Sequence, residues 1–333
     1  VIEIMTSPVI AISENALLYE AILLLNVNKI SHLATKNENG EISGVVSYSA
    51  ISSIQQNSVS YLIKEIEAAE DVPQLLKIHQ RVPVLVNALI ESGDKTQNIT
   101  RIITSVSDAI ANRIIFLAIA ELGAPPCEFA FIVMGSEGRM EQTLSTDQDN
   151  AIVFENQDSQ DLEKAHAYFL KLGQRVCGNL NEVGYKYCDG DIMAENPKWT
   201  QPISKWKEYF SSWINTGDPQ SILDASIFFD FRCVYGKESL IEDLRNDVNR
   251  EIDHKAVFFY HMAQSVVKYK PPVSLFGKIV DKNHSGDKIK LDIKKVMLPI
   301  TSFIRLYSLH NKQYETNSLS RIKQLYQSKI INK

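Results

Sequence analysis

The sequence predicts an α+β protein in four parts. A β-α-β-β-α unit spans residues 1–54, a helical connector 55–124, a small mixed β-sheet core 125–237 and an all-α helical bundle 238–333. Three observations lead there. Short apolar runs and turn signals alternate through the first fifty residues. Two apolar runs, Glu128–Met134 and Asp147–Phe154, flank a segment rich in glycine, serine and acid. Beyond Gly236 the apolar residues recur only at helical spacing.

In the first part, Val9–Ile12, Ser31–Ala34 and Ile42–Ser47 read as strands, and Glu14–Asn26 as a helix carrying Leu17, Ala21, Ile22 and Leu25 on one face. Asn37-Glu38-Asn39-Gly40 reads as a hairpin turn. In the connector, Asp71 and Gln74 form a capping-box pattern, and Leu75 to Leu89 present one apolar face. A longer helix runs from Thr96 to Leu122, closed by Gly123 and Pro125-Pro126. In the core, Leu162–Val183 is a helix ended by Gly184, Tyr185–Cys188 a short strand and Ala225–Tyr235 a third strong strand ended by Gly236. The bundle comprises Leu240–Val248, Lys255–Lys268, Asp292–His310 and Leu319–Ser328.

A net charge of −5 argues against a nonspecific nucleic-acid binder, which carries a basic face. Cys127, Cys177, Cys188 and Cys233 form no C-x-x-C pair, so reduced thiols in a cytoplasmic protein are expected rather than a zinc knuckle or a disulfide framework. No run of about 18 apolar residues suggests a membrane span, and no secretory signal is visible. The chain starts on Val1 in mid-motif, as a piece of a longer protein would.

The chemistry concentrates between Gly135 and Asn150. A buried strand ends in Gly135-Ser136, where a glycine lets the backbone approach a ligand and its amides can face a phosphate. Twelve residues after Gly135, Asp147-x-Asp149 opens the next strand, so the two carboxylates share a face. Convergent carboxylates repel unless a cation lies between them, and Mg²⁺ shares such ligands with substrate phosphates. Arg139 either neutralises phosphate charge or pairs with Glu141 to fix the turn. Asn150 either contacts a nucleotide or caps a local backbone group. Asp230, in the apolar run Phe229-Asp230-Phe231-Arg232, is the candidate third carboxylate; Asp224 is the runner-up, and a structural Asp230–Arg232 pair is the alternative.

These residues carry two resemblances. Ile4-Met5-Thr6 with Pro8, Ile30-Ser31-His32-Leu33 and Gly44-Val45-Val46-Ser47 resemble one CBS motif. That family pairs its motifs in tandem, which implies a homodimer through this unit and an adenine nucleotide in its cleft. The usual ribose-contacting Asp is replaced here by Ala50. Gly135-x-x-Gly138-Arg139-x-Glu141 followed by Thr146-Asp147-x-Asp149 resembles the nucleotidyltransferase superfamily, in particular the uridylyltransferase domain that modifies the PII signalling protein and the adenylyltransferase of glutamine synthetase. With Cys188–Ala194 and Phe229–Arg232, the match is to the CBS-associated nucleotidyltransferases of the domain-of-unknown-function 294 type.

The resemblance implies an NTP substrate, two Mg²⁺ (or Mn²⁺) ions held by Asp147, Asp149 and Asp230, and β,γ-phosphates on Gly135 and Ser136. Arg139, Lys294 and Arg305 would face the triphosphate, and Arg321 loosely matches the same bundle pattern. A PII-like or other protein, or a small molecule, would accept the nucleotide. A catalytically silent nucleotide-binding regulator and an RNA-modifying transferase are the competing readings; the acidic balance counts against the latter.

Overall fold

The computed structural model describes residues 8–51, 58–216, 221, 225–268 and 293–331. The N-terminal unit is a three-stranded sheet, β1 (Ala11–Ser13), β2 (His32–Lys36) and β3 (Ile42–Ser47), with helix α1 (Leu18–Asn28) between β1 and β2. β1 runs parallel to β2, and β3 antiparallel. The tight β2–β3 connection follows from its residues. Asn37 Oδ1 accepts from the amides of Asn39 and Glu41 at 3.1 and 2.9 Å, and Gly40 supplies the left-handed φ of +78° that the turn requires. Ala21, Leu25, Leu33 and Ile51 form a small core of their own.

Four helices follow: α2 (Val59–Ala68), α3 (Val72–His79), α4 (Val82–Glu91) and α5 (Thr96–Leu122). Asp71 caps α3 by accepting from Gln74 N at 2.8 Å. The apolar face read continuously from Leu75 to Leu89 divides after His79, because Pro83 lacks a backbone donor and opens the next helix instead of continuing the last. By length and composition α5 could cross a membrane, yet it is the core helix of this domain. Ile103, Ile110, Ile114 and Ile115 are buried in the same core as Phe131, Ile152 and Phe169.

The central sheet has the order β6-β5-β4-β7, from β4 (Phe129–Val133), β5 (Asn150–Phe154), β6 (Thr200–Pro202) and β7 (Arg232–Gly236). β4 is antiparallel to β5 and β7, while β5 and β6 are parallel. Both faces are covered, which is why the two central strands are buried at every position and apolar at all but Asn150. Phe129, Phe131 and Val133 face α5 and α7 (Ser159–Val183), whereas Ala130 and Ile132 face Trp206 and Phe210 of α8 (Ile203–Asn215). A one-turn helix α6 (Gly135–Gly138) leaves β4, and α7 ends at Gly184 with φ +124°.

Three expected strands need correction. The second central strand starts at Asn150, so Asp147 and Asp149 lie just ahead of it. Residues 185–188 make one bridge, Lys186 with Asp147, and no longer strand. Ala225–Tyr235 is a 3₁₀ turn over Ser226–Phe229 and then β7, because Phe228 and Phe229 turn into the aromatic cluster around Trp206, Phe210 and Trp213. Helices α9 (Glu238–Glu251), α10 (Ala256–Lys268), α11 (Ile293–His310) and α12 (Ser318–Gln327) complete the described chain.

Candidate functional site

β4 delivers the chain to Gly135, which adopts φ +62°. A Cβ there would lie 3.1 Å from Asp149 Oδ2 and 3.0 Å from Ile227 Cδ1. Gly138 is packed harder, since its Cβ would meet the carbonyl oxygen of Asp230 at 1.9 Å. Each motif glycine thus admits a neighbour: the carboxylate of Asp149 in one case, the backbone of Asp230 in the other. Half-buried Ser136 sits in the same turn, its carbonyl accepting from Glu141 N at 2.8 Å.

Residues 147–150 alternate. Gln148 and Asn150 point inward and act as staples. Gln148 Nε2 donates to the carbonyls of Cys177 and Tyr185 at 3.0 and 2.9 Å, and Asn150 Oδ1 accepts from Ala194 N at 2.9 Å. Asn150 thus holds a backbone amide, though one 44 residues away rather than a local one. Asp147 and Asp149 point the other way, half-buried. One ligand atom from each, together with Sγ of Cys188, lies within 4.8 Å of the others. Sequence reasoning passed over Cys188, although the parallel bridge between Asp147 and Lys186, carried two residues on, sets it beside Asp149. Burial first, and then the charge of Asp149, push the Cys188 thiol up.

Asp230 is elsewhere. It is fully buried and caged by three arginines that are themselves almost wholly buried or nearly so. Oδ2 accepts from Arg139 Nη1 at 2.9 Å and from Arg305 Nε and Nη2 at 2.9 and 2.6 Å, and Oδ1 accepts from Arg321 Nη1 at 2.7 Å. Burial alone would raise its pKa, but Arg305, Arg321 and Arg139 together hold the carboxyl far below the usual carboxylate range. Asp230 is absent from the Asp147–Asp149–Cys188 cluster, and the expectation that it completes a metal site is corrected on that ground: both its oxygens are occupied by guanidinium donors.

The same cage answers for two residues expected on the triphosphate. Arg305 is spent on Asp230. Arg139 divides between Asp230 and Glu141, the latter at 2.9 Å, so the pairing alternative for Arg139 is the observed one. Glu141 in turn accepts from Ser318 N at the start of α12 at 2.6 Å, and Thr316 Oγ1 donates to Gly138 O at 2.7 Å. The motif turn is thereby bolted to the C-terminal helices. Arg232 does not pair with Asp230; it makes a bidentate contact with Asp108 of α5, both bonds 2.9 Å. Asp224 lies outside the described residues, as does the side chain of Lys294 on α11.

A second residue unnoticed in the sequence is Glu137, buried between the motif turn and α5. Ser107 Oγ donates to its Oε1 at 2.8 Å, and Gln142 Nε2 donates to Ser107 Oγ at 3.3 Å. Burial pushes the Glu137 carboxyl up to about 7, the Ser107 bond pulling it back and Asp108 raising it again. In the N-terminal unit, Ser47 Oγ accepts from Ala50 N at 3.1 Å.

A two-faced sheet carrying a glycine turn and an acidic pair at one end defines a nucleotidyltransferase-type core, and the family comparisons agree. The family described as Putative nucleotidyltransferase DUF294 matches residues 80–220, its substrate binding domain matches 256–333 and a CBS domain matches 1–56. The chain belongs to this CBS-associated DUF294 family. Its first match begins inside the helical connector, in keeping with the single core that α2–α5 share with the sheet. The curated proteins include no match to the chain.

Proposed function

We propose that this protein is a Mg²⁺-dependent nucleotidyltransferase that moves an NMP unit from an NTP to a hydroxyl of a protein or small-molecule acceptor and releases pyrophosphate. The observation that carries the reading is the closeness of the two motifs: a Cβ on Gly135, whose φ of +62° favours glycine, would lie 3.1 Å from Asp149 Oδ2. A glycine turn placed beside an acidic pair is the equipment of phosphoryl chemistry.

The donor set suits divalent cations, because Asp147 and Asp149 each bring a carboxylate oxygen to one spot and such cations take oxygen ligands. Bound there, Mg²⁺ would supply charge neutralisation for the phosphates and polarise the acceptor oxygen. Gly135 and Ser136 then orient the β,γ-phosphates so that the acceptor oxygen is in line with the α-phosphorus. As the new P–O bond forms, the bond to the β-phosphate breaks and the hydroxyl proton is released. The CBS unit fits an adenine-nucleotide sensor and a dimer contact, with PII-like proteins the first acceptors to try. Lys294 remains a candidate for the triphosphate.

Purified protein, Mg²⁺ and each of the four α-labelled NTPs, with PII-like proteins and the chain itself as acceptors, tests this. Label should transfer with one preferred base, and Asp149→Asn should abolish transfer. Tight NTP binding in a calorimeter with no turnover on any acceptor would favour a second reading, a nucleotide-binding regulator that no longer catalyses. The arginine cage around Asp230 is the observation on that side, since it withholds the third carboxylate.

A further inference from the structure

We propose that Cys188 is a third ligand of the Asp147–Asp149 site, which makes it a mixed oxygen–sulfur site that captures a soft divalent cation such as Zn²⁺ in competition with Mg²⁺. The inference rests on the reading that the acidic pair holds a metal. It goes beyond that reading in naming a second ion and a residue that tells the two ions apart.

The placement of Cys188 is built rather than incidental. Gln148 N donates to Lys186 O at 2.9 Å, and Gln148 Nε2 holds Tyr185 O, so the segment after α7 is stapled alongside residues 147–149. Cys188 itself is pinned at both backbone groups: its N–H donates to Met193 Sδ at 3.4 Å, and its carbonyl accepts from Asp191 N at 3.0 Å. The other three cysteines have different surroundings. Cys177 is buried under Asn150, Cys233 bonds to Tyr235 O, and Cys127 precedes β4. Among the described residues, Asp147, Asp149 and Cys188 are the one group of three acidic, histidine or cysteine side chains close enough to share an ion.

The two ions use this set differently. Mg²⁺ is hard and takes oxygen ligands and water, so it engages Asp147, Asp149 and substrate phosphate and leaves the sulfur aside. Zn²⁺ accepts both donor types, with bonds of about 2.3 Å to sulfur and about 2.0–2.2 Å to carboxylate oxygen. Donor atoms already within 4.8 Å reach those distances by side-chain rotation. The thiol proton passes to solvent as the sulfur coordinates. A three-ligand Zn²⁺ would occupy the pair and displace the Mg²⁺–NTP complex, so trace zinc becomes an inhibitor.

The test uses the full chain freed of metal and titrated with Co²⁺ as an optical stand-in for Zn²⁺. A thiolate-to-cobalt charge-transfer band in the near ultraviolet is expected, bleached by added Zn²⁺. Cys188→Ser should lose the band and bind Zn²⁺ at least about 10-fold more weakly, a loss seen even when a supporting hydrogen-bond partner of a metal ligand is removed. In the unmodified protein, Zn²⁺ but not Mg²⁺ should shield Cys188 from iodoacetamide, read by peptide mass spectrometry without any variant. Absence of the band, its survival in Cys188→Ser, or alkylation of Cys188 unaffected by Zn²⁺ would each overturn the proposal. If Mg²⁺–NTP still binds in an Asp149-dependent way under those outcomes, the transferase reading stands and only the cysteine inference falls.

Discussion

The two sides of the motif turn treat carboxylates in opposite ways. On one side Asp147 and Asp149 converge, half-exposed, with a thiol beside them. On the other, a single carboxylate, Asp230, is surrounded by Arg139, Arg305 and Arg321 out of reach of water. The first arrangement is open to solvent, with three potential ligand atoms facing one spot. The second is closed, with its cations supplied by the chain. The open cluster lies on one edge of Gly135–Glu141 and the closed one on the other. The other edge serves to fasten the core to the C-terminal helices.

Asp230→Ala should break the comparison most severely. Removing one partner of a buried ion cluster costs about 3–5 kcal/mol, because the remaining charges lose their compensation. Urea unfolding should show a loss of that size, and a change below about 1 kcal/mol would mean the cage does not hold the helices. The pH dependence has a definite sign. Asp230 has a depressed folded pKa, so its stabilisation is present above the ordinary value of about 3.9 and is lost only as pH falls through its much lower folded value. Mild acid at pH 4 should leave the cage intact.

The cage also marks what could be read from the sequence. Strand β4 was legible because a sheet buried on both faces needs an unbroken apolar run, and Gly135 with Asp147-x-Asp149 was legible because a glycine turn and an i, i+2 pair are local patterns. Helix α8 was equally open to reading, with Ile203, Trp206, Phe210 and Ile214 at helical spacing, and went unremarked. The arginines of the cage stand 75 to 91 residues from Asp230, and no local pattern states such a pairing. The Phe-rich run before Asp230 misled for a related reason: its residues favour strands, but an aromatic cluster from other elements draws them into a 3₁₀ turn. Cys188 and Glu137 were missed because their meaning comes only from neighbours on other segments.

Asp149→Asn should produce the complementary result. Nucleotide transfer should drop about 100-fold or more, equivalent to about 2.7 kcal/mol of transition-state stabilisation. The folded state should keep its stability to within about 1 kcal/mol, the worth of an ordinary hydrogen bond. A variant that loses activity through unfolding would remove the contrast with Asp230.

Glu137→Gln asks whether the boundary between the two sides is itself charged. Its folded pKa, about 7, lies above the ordinary glutamate value of about 4.3, so between those values the folded state holds more protons than the unfolded one. Stability should therefore fall as pH rises across that window and level off above it. The glutamine variant should lack this slope and be more stable than the parent at pH 8, by about 3–4 kcal/mol, with little difference near pH 4. Thermal melts of both proteins across pH 4–8 would check it, and parallel curves would show that Glu137 is not neutralised by folding.

Ser107→Ala should give the smallest effect and sharpen the comparison most finely. Ser107 lies on α5, 30 residues before Glu137, and its hydroxyl both donates to Glu137 and accepts from Gln142. Losing it should cost about 1 kcal/mol, the net worth of an ordinary buried hydrogen bond. Because that bond favours the ionised carboxylate, its removal should also lift the Glu137 pKa further and carry the pH-dependent loss of stability to higher pH. The double variant Ser107→Ala with Glu137→Gln should show no such displacement, because the titrating group is gone. If the single variant alters stability equally at every pH, then α5 supports the motif turn by packing alone, and the connector has no electrostatic hold on the site.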